Sequence, residues 1–191
     1  MANVYETSEF RNGLKVLVDG QPFSMIYFQF VKPGKGTAFT RTKLKNLLSG
    51  NVIERTYRTG DTLEAADCED VEMQYTWNDG ETFYFQNTET FDEVPVSKLM
   101  MDGSEDFLTD DIIVSITMFN SRPVAVTLPN FIEAKVTYAE PGAKGNTATN
   151  ATKNATLSTG ATIQVPLFVE TDEVIRVDTR TREYVSRVNT K

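Results

Sequence analysis

Apolar and polar residues alternate along most of the chain in short runs, and the runs are separated by residues that favour turns. A period of two is typical of β-strands, whose successive side chains point to opposite faces. Three pairs of runs flank hairpin signals, at Asp19-Gly20, Asn78-Asp79-Gly80 and Asn120-Ser121. The pattern therefore predicts an all-β protein of small barrels, with a short helix between Ser97 and Asp102.

A further hairpin is predicted to turn at the segment Lys32-Pro33-Gly34-Lys35-Gly36. Pro33 at the second position and Gly34 at the third suit a type II turn, because proline fixes φ and glycine accepts a positive φ. Lys35 then lies at a tip where no side chain is expected to pack on it. Such a lysine is either simply solvated or presented to a partner, and the turn alone leaves both interpretations open.

The predicted strand after this tip carries alternating basic residues, in the run Thr40-Arg41-Thr42-Lys43-Leu44-Lys45. In a strand, Arg41, Lys43 and Lys45 lie on one face, and the remaining residues lie on the other. Such a stripe is either a track for nucleic-acid phosphates or an ordinary solvated strand face. The residues alone leave both interpretations open.

Turn signals and charge divide the chain into three predicted lobes, at residues 1–65, 66–128 and 129–191. Pro129 follows the second boundary and suits a hinge. In the last lobe, the low-complexity segment from Pro141 to Thr156 is predicted to be a loop. Strands are predicted there within residues 131–140, 161–170, 173–179 and 184–188.

Charge is divided unevenly among these lobes, although the whole chain has a formal net charge of −8. Lys and Arg balanced against Asp and Glu give a net of +3 for residues 1–65, −12 for 66–128 and +1 for 129–191. This asymmetry favours a protein whose end meets RNA while its middle is kept away from it. Alternatively, the acidic middle lobe only confers solubility.

The composition argues against several classes of function. The chain has no histidine and a single cysteine, Cys68, which excludes histidine-based catalysis, thiolate metal clusters and an internal disulfide. An enzyme and a metal site are therefore not expected, and Cys68 is interpreted as a buried thiol. We see no secretory signal and no apolar run long enough to span a membrane, which favours the cytoplasm.

The segment VKPGKGTAFTRTKLKNLLSG, residues 31–50, resembles the hallmark loop and following strand of bacterial elongation factor P. Similar segments occur in the right order, as ETSEFRNGLKVLVDGQPF, YTWNDGETFYFQNTETF, VTLPNFIEAKV and ATLSTGATIQVPLFVETDEVIRVDTRTREYVSRV. The last segment matches the family signature at Gly160, Val165, Pro166, Ile175, Val177, Asp178, Thr179 and Tyr184. The resemblance covers essentially the whole chain.

The resemblance implies an amino-terminal KOW/SH3-like barrel followed by two OB-type barrels, arranged in a tRNA-like L shape. It implies a monomeric factor, not an enzyme, that binds the ribosome between the P and E sites. Such factors promote peptide-bond formation at polyproline stretches. The implied partners are the rRNA of both subunits, the P-site peptidyl-tRNA and a lysine-modifying ligase, with no membrane partner.

The resemblance also assigns roles to individual residues. Lys35 corresponds to the modified position, with a β-lysyl extension favoured over an aminopentanol-type addition. The tip loop near the tRNA CCA end comprises Lys32, Pro33, Gly34 and Gly36. RNA-backbone contacts are expected from Arg41, Lys43 and Lys45, and ribosome contacts of the carboxyl domain from Gly145, Asn146, Thr147, Tyr184 and Arg187. The alternative for Tyr184 is core packing; no metal and no dissociable cofactor are implied.

The chain departs from the family pattern at two places. Gly145-Asn146-Thr147 stands where Gly-Asp-Thr is common, so an amide replaces a carboxylate. Thr171-Asp172 replaces an apolar residue and a glycine, and Arg182 replaces a frequent glycine. Asp172 suits a left-handed turn better than most residues, whereas Arg182 fits one less well.

Three other classes of function are weighed against this interpretation. A generic OB-type binder of single-stranded RNA would need neither Lys35 nor a ribosome. A diverged paralogue is disfavoured by the intact lysine tip. A peptidyl-transferase enzyme is disfavoured because the sequence has no nucleophile-base pair.

Overall fold

The computed structural model describes residues 3–141 and 151–188, and their regular structure is almost entirely β-strand. The strands form three sheets that curl into barrel-like units. The predicted all-β fold class is confirmed. The described residues divide into two compact units, one within Met1–Val71 and Ile116–Ala125 and the other within Glu72–Ser115 and Val126–Lys191. The three lobe boundaries stay a prediction.

The first sheet has six strands in the order β1-β6-β2-β3-β4-β5. These are β1 (Val4–Glu6), β2 (Lys15–Val18), β3 (Gln21–Val31), β4 (Phe39–Asn46), β5 (Val52–Arg58) and β6 (Thr62–Ala65). A 3-10 helix, Thr7–Glu9, follows β1. Alternate side chains enclose a core of Phe10, Leu14, Val16, Val18, Phe23, Met25, Leu44 and Leu63. The long hairpin of β3 and β4 carries the predicted site.

A polar cluster in the first unit joins β2 to two strands of the second sheet, β7 (Cys68–Asn78) and β10 (Ile113–Phe119). The Lys15 Nζ lies 2.7 Å from an Asp70 carboxylate oxygen and 2.9 Å from the Thr117 hydroxyl. That hydroxyl donates to the same Asp70 oxygen at 2.6 Å. Burial by itself would raise the pKa of Asp70, but the hydrogen bonds from Lys15 and Thr117 lower it.

The second sheet has the strand order β11-β10-β7-β8-β9. Its other strands are β8 (Thr82–Asn87), β9 (Glu93–Ser97) and β11 (Arg122–Thr127). The predicted short helix is confirmed as α1 (Lys98–Met101), and a 3-10 helix (Ser104–Phe107) follows it. The turn between them is possible because Asp102 and Gly103 both have positive φ, at 54° and 81°.

The third sheet has the order β14-β13-β12-β15-β16. Its strands are β12 (Phe131–Ala139), β13 (Thr152–Leu157), β14 (Thr162–Pro166), β15 (Val174–Asp178) and β16 (Glu183–Arg187). Inward-facing side chains of β12, β13 and β15 are almost fully buried, among them Val136, Leu157 and Ile175. β15 pairs with β12 along one edge and with β16 along the other.

The hairpin predictions are confirmed by the backbone. Asp19 and Gly20 have φ of 53° and 76°, and Asn120 and Ser121 have φ of 48° and 60°. Two consecutive positive φ values are what a type I′ hairpin turn requires. In the hairpin between β7 and β8, the Asn78 side chain accepts a hydrogen bond from the Gly80 amide at 3.1 Å.

The prediction of a loop from Pro141 to Thr156 was wrong at its carboxyl end. β13 begins at Thr152 and pairs with β12 and β14. Lys153 and Ala155 face inward, and the Lys153 ammonium lies 3.5 Å from Glu170 while its side chain is only 4% exposed. Lys153, Asn154 and Ala155 are of types depleted in strands, so pairing with the neighbouring strands decides their conformation.

Candidate functional site

The tip of the β3–β4 hairpin presents Lys35 to solvent. Gly34, Lys35, Gly36 and Thr37 are all exposed, and Pro33 is half-buried. No hydrogen bond or ion pair joins the Lys35 side chain to another of the described residues. Its ammonium group is therefore free to meet a partner.

The predicted type II turn at Lys32-Pro33-Gly34-Lys35 was wrong. That turn requires a positive φ at Gly34, but the positive φ of this loop is at Gly36, at 112°. A Cβ added at Gly36 would meet only the Pro33 ring, at an ordinary 3.8 Å. Backbone conformation, and not lack of space, is what requires glycine at position 36.

The hairpin near the tip exposes large apolar side chains on β3. The exposed fractions are 43% for Ile26, 43% for Tyr27, 40% for Phe28 and 60% for Phe30. Consecutive strand residues point to opposite faces, so the hairpin has apolar groups on both sides. A cluster of exposed apolar side chains is typical of an interaction surface.

The basic strand has the predicted alternation. Arg41 and Lys43 are exposed and Lys45 is half-buried, whereas Thr40, Thr42 and Leu44 are buried. The Thr42 hydroxyl donates to the Arg55 carbonyl at 3.0 Å, which satisfies one buried polar group. The strand therefore presents its cations on one face.

Neighbouring strands modify the charge of this face. The Lys43 ammonium lies 3.1 Å from a Glu54 carboxylate on β5, although both side chains are well exposed and the pair is weak. The Arg41 guanidinium lies 5.6 Å from the Phe39 ring centre. Arg41 thus lies within cation-π distance of an aromatic ring, while the charge of Lys43 is partly neutralised.

A groove of about 540 Å³ follows this face of the hairpin. Its lining includes Tyr27, Gln29, Arg41, Lys43 and Thr56. In the strand register, Gln29 and Thr56 flank Arg41, and Tyr27 lies opposite Lys43. The groove combines three cations with one carboxylate, from Glu54, and with amide and hydroxyl groups and an aromatic ring. Apart from the carboxylate, these groups are of the kinds that contact a nucleic-acid backbone.

Tyr184 and Arg187, predicted as ribosome contacts, both contact Phe168, which lies in the turn after β14. Phe168 is 55% exposed and packs edge-on against the half-buried Tyr184, with ring centres 6.3 Å apart. The Arg187 guanidinium lies 4.5 Å from the Phe168 ring centre, donates to the Phe168 carbonyl and lies 3.2 Å from Glu173. The predicted contacts at Gly145, Asn146 and Thr147 lie outside the described residues.

Sequence reasoning missed a second arginine-aromatic cluster on the third sheet. The guanidinium groups of Arg176 and Arg180 lie 4.5 and 5.7 Å from the Phe131 ring centre. Arg180 also donates to both oxygens of Asp178, at 3.1 and 2.7 Å, which lowers the pKa of Asp178 to about 2. The spacing of Arg176 and Asp178 by two on β15 was the available signal, whereas Arg180 lies in the turn that follows the strand.

Neither a metal-binding cluster nor a membrane-spanning helix is found among the described residues. Between residues 3 and 141 and between 151 and 188, no group of three or more cysteine or carboxylate side chains is placed to hold a metal ion. No helix in the same two ranges is long and apolar enough to cross a bilayer.

Three family models match consecutive segments of the chain. The model of the elongation factor P KOW-like domain matches residues 6–63, that of the elongation factor P OB domain matches 68–126, and that of the elongation factor P C-terminal domain matches 128–187. The matches occur in the same order as the three sheets.

Solved structures give a weaker likeness. Eukaryotic translation initiation factor 5A from Methanococcus jannaschii is similar with a TM-score of 0.53 and 18% identity, over 66% of this chain and 93% of that chain. A translation initiation factor eIF-5A family protein from Naegleria fowleri has a TM-score of 0.43 and 14% identity, over 66% of this chain and 99% of that chain. At such identities the first likeness shows a shared fold.

Proposed function

Because the chain belongs to the elongation factor P family and is a translation factor, we propose that it binds the ribosome between the P and E sites and promotes peptide-bond formation at consecutive prolines. The observation that carries the proposal is the exposed Lys35 at the end of a long, narrow hairpin. A thin tip of this kind fits a crowded RNA cavity, and the peptidyl-tRNA CCA end is its proposed target.

The proposed mechanism is positioning and not chemical catalysis by the protein. Proline is a poor acceptor and a poorly positioned donor, so holding the CCA end lowers the entropic part of the barrier by several kcal/mol. Lys35 supplies a cation and hydrogen-bond donors to the tRNA backbone. A β-lysyl extension, added by a lysine-modifying ligase, would lengthen its reach.

The proposed RNA-binding surface begins at the tip and continues along the basic strand. Lys32 lies beside the tip, and Arg41, Lys43 and Lys45 lie on the strand face that borders the groove. Backbone contacts of this type position a protein without reading sequence. Tyr184 and Arg187 supply the proposed contacts on the small-subunit side, and the site of action is the cytoplasm.

Translation of a reporter with three consecutive proline codons, in a reconstituted system, tests the proposal. The wild-type protein should relieve stalling, and Lys35→Ala should lose most of that relief. Lys98→Ala, which removes an exposed lysine from α1, is the matched control and should behave as wild type. Equal relief by wild type and Lys35→Ala would contradict the proposed role of the tip.

Ribosome competition separates this proposal from a generic RNA-binding module. Protein bound to a labelled single-stranded RNA should be displaced by ribosomes if the ribosome is the true partner. Retention of the protein on the RNA in excess ribosomes would favour the generic module.

Mass spectrometry of the Lys35 peptide, from protein isolated from its own cells, would show whether the lysine carries an extension.

A further inference from the structure

The turn between β15 and β16 holds an arginine in a backbone conformation that favours glycine. Arg182 has a φ of 60°, and its amide donates to the Asp178 carbonyl at 2.8 Å. Any residue other than glycine is disfavoured in this left-handed region, because its Cβ crowds the backbone. The strain indicates that the Arg182 side chain makes compensating contacts.

Those contacts are with the segment between α1 and β10 of the second sheet, which belongs to the same compact unit. The Arg182 Nη2 donates to the Gly103 carbonyl at 2.9 Å. The Nη1 lies 3.7 Å from a carboxylate oxygen of Asp106, and the guanidinium lies 5.5 Å from the Phe107 ring centre. One planar group thus meets a carbonyl, a carboxylate and an aromatic ring.

The receiving segment is shaped for this arginine. Phe107 is only 2% exposed, so its ring is fixed in the core. Gly103 has a φ of 81°, and a Cβ added there would lie 2.9 Å from the Arg182 Nη2. The ion pair with Asp106 is half-exposed and weak. The carbonyl hydrogen bond and the ring contact therefore carry most of the interaction.

We propose that Arg182 is a latch that fixes the third sheet to the second. The residues it joins are 79 positions apart along the chain, and its contacts tie the β15–β16 turn to the Gly103–Phe107 segment. The latch concerns the orientation of two sheets, and it stands or falls independently of the proposed ribosomal function. Arg182 is a positioning residue, since it touches no proposed RNA partner.

Pulsed electron-electron distance measurement on the full chain tests the latch. Spin labels at Glu89→Cys and Thr162→Cys, in a Cys68→Ser background, report the separation of the second and third sheets. We expect a narrow distance distribution for the otherwise wild-type protein. Arg182→Gly, which relieves the backbone strain, should broaden it at least twofold in width. Thr181→Gly, in the same turn, is the matched control and should leave it narrow.

An unchanged width of the distance distribution for Arg182→Gly would overturn the proposal. An increase in melting temperature with an unchanged width would show that only strain had been removed.

A double-mutant cycle supplies an independent readout. Gly103→Ala should lower the melting temperature by several degrees more with Arg182 present than in the Arg182→Gly background. Equal losses in the two backgrounds would exclude direct contact.

Discussion

At the scale of single residues, the two glycines that flank Lys35 have different roles. Gly36 has a φ of 112°, whereas Gly34 does not have a positive φ. We expect Gly36→Ala to reduce the free energy of unfolding by about 1–3 kcal/mol, the usual cost of a strained backbone position. Gly34→Ala should cost less than about 0.5 kcal/mol. Urea denaturation of both variants checks this, and equal losses would contradict the assigned conformation.

Asp178 makes acid stability another test at this scale. Its folded pKa of about 2 lies below the unfolded value of roughly 3.9. A depressed carboxyl pKa contributes stability that is fully present above the unfolded value and is lost as the pH falls through the folded value. The contribution of Asp178 should therefore disappear between about pH 5 and pH 2.

The matched variant for this test is Asp178→Asn, which cannot ionise. Unfolding free energy measured against pH should fall less steeply for Asp178→Asn than for wild type between about pH 5 and pH 2. Glu133→Gln, which removes an exposed carboxylate of β12 in the same sheet, serves as the control for general charge removal. Identical slopes for wild type and Asp178→Asn would show that the Arg180 pairing does not stabilise the fold.

At the scale of elements, the basic strand should dominate the salt dependence of ribosome binding. Arg41→Ala is expected to weaken binding and to reduce the slope of log affinity against log salt by about 1, the loss of one phosphate contact. Lys43→Ala should have a smaller effect, because Glu54 already neutralises part of its charge. Arg122→Ala, on the second sheet, should leave the slope unchanged. If Arg122→Ala reduced the slope as much as Arg41→Ala does, the basic strand would not be the specific RNA contact.

The polar cluster of Lys15, Asp70 and Thr117, which joins β2, β7 and β10, is expected to stabilise the fold. Asp70→Asn removes the carboxylate that accepts from both Lys15 and Thr117. Because Asp70 is 55% exposed, solvent screening limits the expected loss to about 1 kcal/mol. Asp79→Asn, in a hairpin turn of the second sheet, provides a comparison that leaves Lys15 paired. Chemical denaturation measures both, and no loss for Asp70→Asn would contradict a structural role for the cluster.

The hairpins at Asp19-Gly20 and Asn120-Ser121 could be predicted from the sequence, whereas the backbone of the tip loop and the strand β13 could not. Asp19, Gly20 and Asn120 adopt the positive φ values that their residue types favour, and Ser121 follows Asn120 into the same turn conformation. β13 was missed because Thr152–Leu157 has a loop-like composition and gains its strand conformation from two neighbours. In the site, the alternation of Arg41, Lys43 and Lys45 was predictable from period two. The ring partners Phe131 and Phe168 required the tertiary structure.

At the scale of the whole molecule, net charge differs between the regions expected to contact RNA and the region expected to stay away from it. Residues 1–65 are basic overall and carry the exposed tip, whereas residues 66–128 have a net charge of −12. Like charge repels a phosphate backbone, so RNA contact is expected at the first and last sheets and not along the acidic middle. The proposed function therefore requires the tip to reach its target while the strand behind it binds RNA.

The single-turnover rate of peptide-bond formation tests this account most directly. Ribosomes holding a peptidyl-tRNA that ends in proline would be mixed with prolyl-tRNA, with or without saturating protein. We predict that the wild-type protein accelerates the reaction at least tenfold, equivalent to about 1.4 kcal/mol of barrier. Lys35→Ala should bind the ribosome yet give little acceleration. Full acceleration by bound Lys35→Ala would contradict the central claim that the lysine tip positions the tRNA.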